Sequence, residues 1–344
     1  MTPQPPSFGS QQYWNQRFTA NSNPFEWLES PTALDPYLVG VLKETSEQNL
    51  ELLHIGCGTS LLSYHLRAHV KRPEQIHNLD YSEVAIGVGR KREVEIFNVE
   101  ERQKESDGVE ISQTTRARTQ NTNADNCNSE SAKPNIIGDS KDRLPSPTYM
   151  RWSAADLLSH SSLLNVCKPS AYSIIVDKST SDSIACAEDK YVPLPYSVSI
   201  SSDHHIRTRF SESPEPIHPL HILAIHLALL AKPKARWISL SYSEDRYPFL
   251  HLPLPGPSHS ATASVSANVE DDFDELDDDL DDIPQQVIDS GLPDPSSLWK
   301  LESKYEIEVP QQIPPNGNPA THRPKILHWV YVLQRTDIEL YVRN

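Results

Sequence analysis

The sequence predicts an α/β fold wound around a largely parallel sheet, and three observations carry that prediction. Short apolar runs alternate with stretches of helical period along the 344 residues. Residues 50–80 read as strand, glycine turn, helix and strand, the repeating unit of parallel sheets. Tyr172 to Val176 is short and, apart from Ser173, apolar, as in a strand buried on both faces.

The elements follow in order. Trp14, Phe18 and Trp27 mark an aromatic N-terminal segment with a helical stretch. Asp35-Pro36 starts a helix, an N-cap followed by proline at the first helical position, with Leu38, Val41 and Leu42 facing inward. Residues 50–55 form the first strand, and Gly56-Cys57-Gly58-Thr59-Ser60 turns the chain. Leu62, Leu66 and Val70 line one face of the helix that follows. A second strand spans 76–79, and Ser82 caps a helix running toward Arg90. Residues 218–231 are helical, with Leu220, Leu223, Leu227 and Leu230 recurring at three and four. Lys232-Pro233-Lys234 breaks that helix before a strand over 236–242. The runs 304–309 and 326–334, joined through a Pro- and Gly-rich connection, read as an antiparallel pair.

Three stretches are too polar to offset their ordering entropy and are expected as flexible insertions into one domain spanning 1–344: residues 100–147, 191–216 and 253–297. Such insertions are tolerable, because each doubling of a loop costs only about 0.6 kcal/mol. The last contains an acidic run, 270–282, that holds ten carboxylates of the formal net charge of −16 and leaves about −6 for the rest. A chain this acidic is not drawn to bare phosphate backbones, so nucleic-acid binding is not expected. Cys57, Cys127, Cys167 and Cys186 show no C-x-x-C spacing and no disulfide framework, as in a reducing compartment. No apolar run approaches the ~20 residues that cross a membrane. With no apolar leader and a first positive charge at Arg17, the expected location is the cytoplasm.

Chemistry concentrates at residues 56–82. A glycine turn after a strand, with an acid ending the next strand at Asp80, suits a nucleoside whose ribose hydroxyls the carboxylate accepts. A dinucleotide site requires a third glycine where this chain has Leu61, and a P-loop requires a Lys-Ser/Thr pair that is absent. A shorter turn fits a nucleoside without a diphosphate, of which S-adenosylmethionine is the common one. The alternative is a plain strand-to-helix turn. His204 and His205, with His218 and His221 nearby, lack supporting carboxylate or cysteine spacing, and no metal is expected from them.

The chain resembles the seven-stranded class I methyltransferases. Within them it is similar to the methyltransferase-like branch that includes the elongation factor 1A and citrate synthase lysine methyltransferases. The resemblance rests on Tyr13-Trp14-Asn15-Gln16-Arg17-Phe18, Phe25-Glu26-Trp27, the 53–63 turn, Asn78-Leu79-Asp80-Tyr81-Ser82, and Ile174-Ile175-Val176-Asp177-Lys178-Ser179-Thr180-Ser181-Asp182. Weaker blocks at 237–242 and 328–332 keep the family's order. It implies a three-layer sandwich with a mostly parallel seven-stranded sheet whose last strand is antiparallel, a Rossmann-like methyltransferase fold. It implies S-adenosyl-L-methionine as cofactor, a protein lysine as acceptor, and a site drawn from Trp14, Phe18, Trp27, Gly56, Cys57, Gly58, Ser60, Asp80, Tyr81, Asp156, Leu157, Asp177 and Lys178. Tyr81 is expected beside the adenine, Asp156 and the Leu157 amide on its ring edge, and Asp177 and Asp182 as orienting acids for the acceptor. The family's Asp-Lys-Gly-Thr-Leu-Asp is here Asp-Lys-Ser-Thr-Ser-Asp. Ser179 is strained if its φ is positive, and Ser181 removes apolar packing expected beside the methyl donor. Those departures leave an alternative open: a catalytically degenerate relative acting as a binding scaffold.

Overall fold

The computed structural model describes residues 6–45, 50–96, 148–200, 211–250, 283–310 and 325–343. Seven strands form one sheet: β1 (Leu52–Ile55), β2 (Ile76–Asp80), β3 (Arg151–Ala154), β4 (Tyr172–Lys178), β5 (Ala231–Ser241), β6 (Trp299–Glu308) and β7 (Leu327–Arg335). Their spatial order is β3-β2-β1-β4-β5-β7-β6. The first five pair in parallel, while β7 runs antiparallel to both β5 and β6. This is the mostly parallel α/β sheet with a reversed final strand expected from the sequence, and its order turns back between β1 and β4.

Helices cover both faces. On one side lie α2 (Asp35–Glu44), α3 (Leu62–Leu66) and α4 (83–96); on the other lie α5 (His160–Leu164), α6 (Thr180–Ile184), α7 (Pro219–Leu230), α8 (Gln285–Asp289) and α9 (Pro295–Leu298), while α1 (Gln11–Ala20) precedes them in the chain. The strands' period-2 alternation feeds two cores: Leu52, Ile174, Val176 and Ile238 face Leu38 and Leu62, whereas Leu53, Ile55, Ile175 and Trp237 face Leu223 and Leu227. The helix expected to run through Val70 is shorter than its apolar spacing suggests. It ends at Leu66, tightens into a 3₁₀ turn over Arg67–His69, and leaves Val70 extended.

Helix α7 is buried along all twelve residues rather than on one stripe. A helix apolar on every side requires cover on every side, and the cover comes from segments expected as insertions. Val192, Leu194, Tyr196 and Val198, then Val287 and Leu292, share one core cluster with α7, as does Leu298 just beyond the second segment. The described parts of 191–216 and 253–297 are therefore built into the fold: a few apolar residues placed over an otherwise exposed helix are enough. Residues 201–210, 251–282 and the whole 100–147 insertion lie outside the described residues, as do His204, His205 and the acidic run.

Strand β5 also begins earlier than expected, at Ala231. Tyr172 pairs with Ala231 and Ile174 with Arg236, so residues 232–235 form a bulge in which Lys234 takes a φ of 64°. Lys232-Pro233-Lys234 thus ends the helix by bulging within the strand. Among the described residues, no helix is long and apolar enough to cross a membrane.

Candidate functional site

A cavity of about 800 Å³ opens at the carboxyl ends of β1, β2 and β4, where the strand order reverses. Open α/β sheets place ligands at this switch point. The turn after β1 forms one wall, with Gly56 at φ 55° and Gly58 at φ 49°. A Cβ on Gly56 would lie 2.1 Å from the Thr180 hydroxyl, so glycine there lets the β1 and β4 turns meet; a Cβ on Gly58 would approach Phe18 to 3.3 Å. Cys57 and Ser60 border the same cavity. The Cys57 side chain is packed in the core, and burial raises its thiol pKa well above the ordinary value.

Asp80 ends β2 against this turn. One carboxylate oxygen accepts the Gly58 amide at 2.8 Å and the other the Ser82 amide at 2.8 Å. Burial pushes its pKa up to about 6 against the pull of those two amides. Each carboxylate oxygen accepts more than one hydrogen bond, so Asp80 retains acceptor capacity toward the cavity that it borders. Tyr81 follows, its hydroxyl donating to the Gly9 carbonyl at 2.9 Å. Beyond β3, Asp156 accepts the Leu158 amide at 2.9 Å, a local turn that sets Asp156 and Leu157 on the cavity wall.

The N-terminal segment closes the cavity with aromatic rings. Trp14 stacks on Phe18 with centroids 5.6 Å apart and meets Trp27 edge-on at 6.3 Å. Phe8, which the sequence did not single out, contacts Trp14 and Trp27 and bridges the cluster. Glu26 fixes this segment to the sheet. It accepts from the Ser60 hydroxyl at 2.8 Å and the Leu61 amide at 2.6 Å, and pairs with Lys178 at 2.9 Å. The Lys178 ammonium also donates to the carbonyls of Trp27 at 2.8 Å and Glu29 at 3.1 Å. Burial lowers the Lys178 pKa, opposed by Glu26. The Leu61 amide at the start of α3 is thus taken by Glu26. Phe25-Glu26-Trp27 carried the resemblance, but nothing local showed that Glu26 pairs with a lysine 152 positions away.

Two expectations need correction. Asp177 does not border the cavity. It shares a strand face with Ile175, on the α7 side, is fully buried, and accepts the Thr180 amide at 2.8 Å, the Ser239 hydroxyl at 3.1 Å and the Ser181 hydroxyl. Burial raises its pKa to about 6. Its place is beneath α6, where it caps the helix, rather than against cofactor or acceptor. Ser181 likewise faces that buried group and lies 3.1 Å from the Tyr247 hydroxyl, not beside a methyl donor. Asp182 does border the cavity, but Arg246 at 2.8 Å, Ser241 at 2.5 Å and the Tyr242 amide at 3.3 Å engage its carboxylate.

Ser179, glycine in the resembling pattern, has φ 66° and ψ 13°. Among the described residues, its hydroxyl and that of Thr59 are buried with no hydrogen-bond partner, and both residues border the cavity. Trp14, Phe18, Trp27, Gly56, Gly58, Asp80, Asp156, Lys178 and Asp182 therefore meet around one space, while Asp177 supports it from below.

No family model matches the chain. It is 28% identical over 191 residues to methyltransferase SrdJ of Neurospora crassa, a match covering 56% of this chain and 60% of that protein. The chain thus matches about three fifths of that relative's length. Among solved structures it is similar to the N-methyltransferase NodS of Bradyrhizobium japonicum with S-adenosyl-L-homocysteine, at 12% identity over 96% of this chain and 99% of that one, TM-score 0.41. A SAM-dependent methyltransferase from Anabaena variabilis shares 13% identity over 97% and 96% of the two chains, TM-score 0.40.

Proposed function

We propose that the chain is an S-adenosylmethionine-dependent methyltransferase whose acceptor is a lysine side chain of a protein. The observation that carries this is the convergence of the glycine turn, Asp80, the Asp156–Leu157 turn and the aromatic N-terminal segment on one cavity at the switch point of the sheet. The donor set fits that cofactor: a buried acid with spare acceptor capacity suits a ribose diol, and orphaned hydroxyls at Thr59 and Ser179 suit its polar groups. The aromatic wall suits a sulfonium through cation–π attraction of roughly 0.5–2 kcal/mol.

When bound, S-adenosylmethionine supplies a methyl group activated on a sulfonium centre. The chain's own contribution is alignment and exclusion of water. A lysine acceptor must shed its proton first, because an ammonium has no lone pair. Desolvation beside Trp14 and Trp27 lowers the amine pKa and favours that loss. Asp182, held by Arg246, orients groups rather than removing protons. The lysine acceptor is supported by the family resemblance and by this aromatic mouth.

Calorimetry with S-adenosylmethionine, S-adenosylhomocysteine and NAD tests the cofactor: the first two bind and NAD does not. Asp80→Ala weakens both by at least tenfold, since a hydrogen bond to a charged group contributes roughly 1.5–3 kcal/mol. Labelled cofactor incubated with a eukaryotic lysate, followed by mass spectrometry, locates the acceptor; label confined to small molecules removes the lysine reading. One observation favours the scaffold alternative, the left-handed serine in place of glycine at 179. Absence of binding by either nucleoside selects it.

A further inference from the structure

We propose that Asp35, His65 and His69 form a binding site for a divalent transition-metal ion of the zinc type, separate from the cavity described above. The three are brought together by the fold. Asp35 begins α2, His65 lies in α3, and His69 follows on the 3₁₀ turn four positions later, on the same face of the coil. Both imidazoles aim their Nε2 atoms at one carboxylate oxygen of Asp35, at 2.6 Å and 3.2 Å. One ligand atom from each residue lies within 4.8 Å of the others.

The donor set is chemically selective. Two neutral imidazoles and one carboxylate suit zinc and its first-row neighbours, whereas calcium and magnesium prefer oxygen alone. Zinc bonds of about 2.0–2.2 Å place neighbouring donors roughly 3.3 Å apart in a tetrahedron. The His69–Asp35 spacing already approaches this, and His65 needs to withdraw by well under 1 Å. The side chains have room to do so, being 25%, 15% and 35% exposed for His65, His69 and Asp35. That exposure leaves the outer coordination positions to water. None of the three borders the large cavity, so the ion would join α2 to α3 over the Leu38–Leu62 core rather than take part in methyl transfer.

The competing account is two imidazoles donating hydrogen bonds to a carboxylate, and it differs in where the ring protons sit. Hydrogen bonding places them on Nε2; metal binding requires the Nε2 lone pairs and moves them to Nδ1. The full chain, stripped with a chelator, is titrated with Co²⁺ and Zn²⁺. The expected result is a visible Co²⁺ band saturating at one equivalent, displaced by Zn²⁺, with a Zn²⁺-dependent rise in Tm. His65→Ala and His69→Ala each abolish both, while a His204→Ala/His205→Ala variant and Cys186→Ser retain them. Imidazole NMR of the unmutated chain removes any dependence on variant folding: two rings change tautomer on adding Zn²⁺. Absence of a band, a band that survives His65→Ala with His69→Ala, or unchanged imidazole signals overturns the site. None of these readouts involves S-adenosylmethionine, so failure here leaves the methyltransferase reading untouched.

Discussion

Ser179 shows how much one residue can carry. A non-glycine residue at φ 66° sits in the left-handed region at a cost of about 1 kcal/mol or more, and its hydroxyl is buried without a partner among the described residues. Both penalties vanish in Ser179→Gly, so that variant is expected to raise Tm by about 2 °C. A lower Tm would show that the serine is satisfied in a way the present contacts do not reveal. If its hydroxyl meets the cofactor, the same variant binds S-adenosylhomocysteine less tightly, and the two measurements move in opposite directions. Asp80 yields a second expectation. Its pKa of about 6 in the free protein means the carboxylate is ionised, and fully able to accept ribose hydroxyls, only above that value. Nucleoside affinity is therefore expected to be level above pH 7 and to fall below pH 6 by up to tenfold per pH unit, the limit for one linked proton. Calorimetry across pH 5–8 checks this, and an equal slope in Asp80→Asn would place the titration elsewhere.

At the scale of elements, the N-terminal segment is held over the sheet by the Glu26–Lys178 pair and by two carbonyls on the same ammonium. Removing one partner of a largely buried pair leaves the other unpaired, which is more disruptive than losing the pair outright. Lys178→Met is expected to release residues 7–29: amide exchange there accelerates and nucleoside affinity falls, while the strands keep their protection. Equal protection in both proteins would show that the aromatic cluster alone holds the segment. The same element shows what sequence makes legible. The strands, the glycine turn and Asp80 are coded locally, by period and by residue type, so each is readable in a short window. The face of Asp177 was also readable, since alternation along β4 puts it with Ile175 and opposite Lys178. The family pattern outweighed that signal and pointed to the cavity. Glu26 with Lys178, or Phe8 with Trp14 and Trp27, depends on how distant turns meet. Polar segments at 191–200 and 283–298 hid their role because a few apolar residues suffice to cover α7.

Across the whole molecule, two sets of buried groups titrate against each other. His54, His77 and His226 are each depressed to about 4 by burial, while Asp80 and Asp177 are raised to about 6 by the same cause. For each histidine the folded chain binds fewer protons than the unfolded chain between about 4 and 6.5, so acidification through that window destabilises. For each aspartate the folded chain binds more protons between 3.8 and about 6, so the same acidification stabilises, and that contribution is lost as pH rises through 6. The acid response is thus a contest among buried groups rather than a general loss of charge pairs. His226 is the informative member on one side. Its Nδ1 donates to the Leu157 carbonyl at 2.8 Å and its Nε2 accepts from Tyr196 at 2.8 Å, tying α7 to the cavity wall in the neutral form. Asp177 is its counterpart, fixed among hydroxyls and amides that an asparagine also satisfies. Urea midpoints measured between pH 6.5 and 4 are expected to fall less in His226→Gln than in the unmutated chain, and more steeply in Asp177→Asn. The differences are on the order of 3 kcal/mol each. Parallel pH profiles for all three proteins would mean that neither group changes its proton binding on unfolding, and that these buried groups do not set the acid stability of this fold.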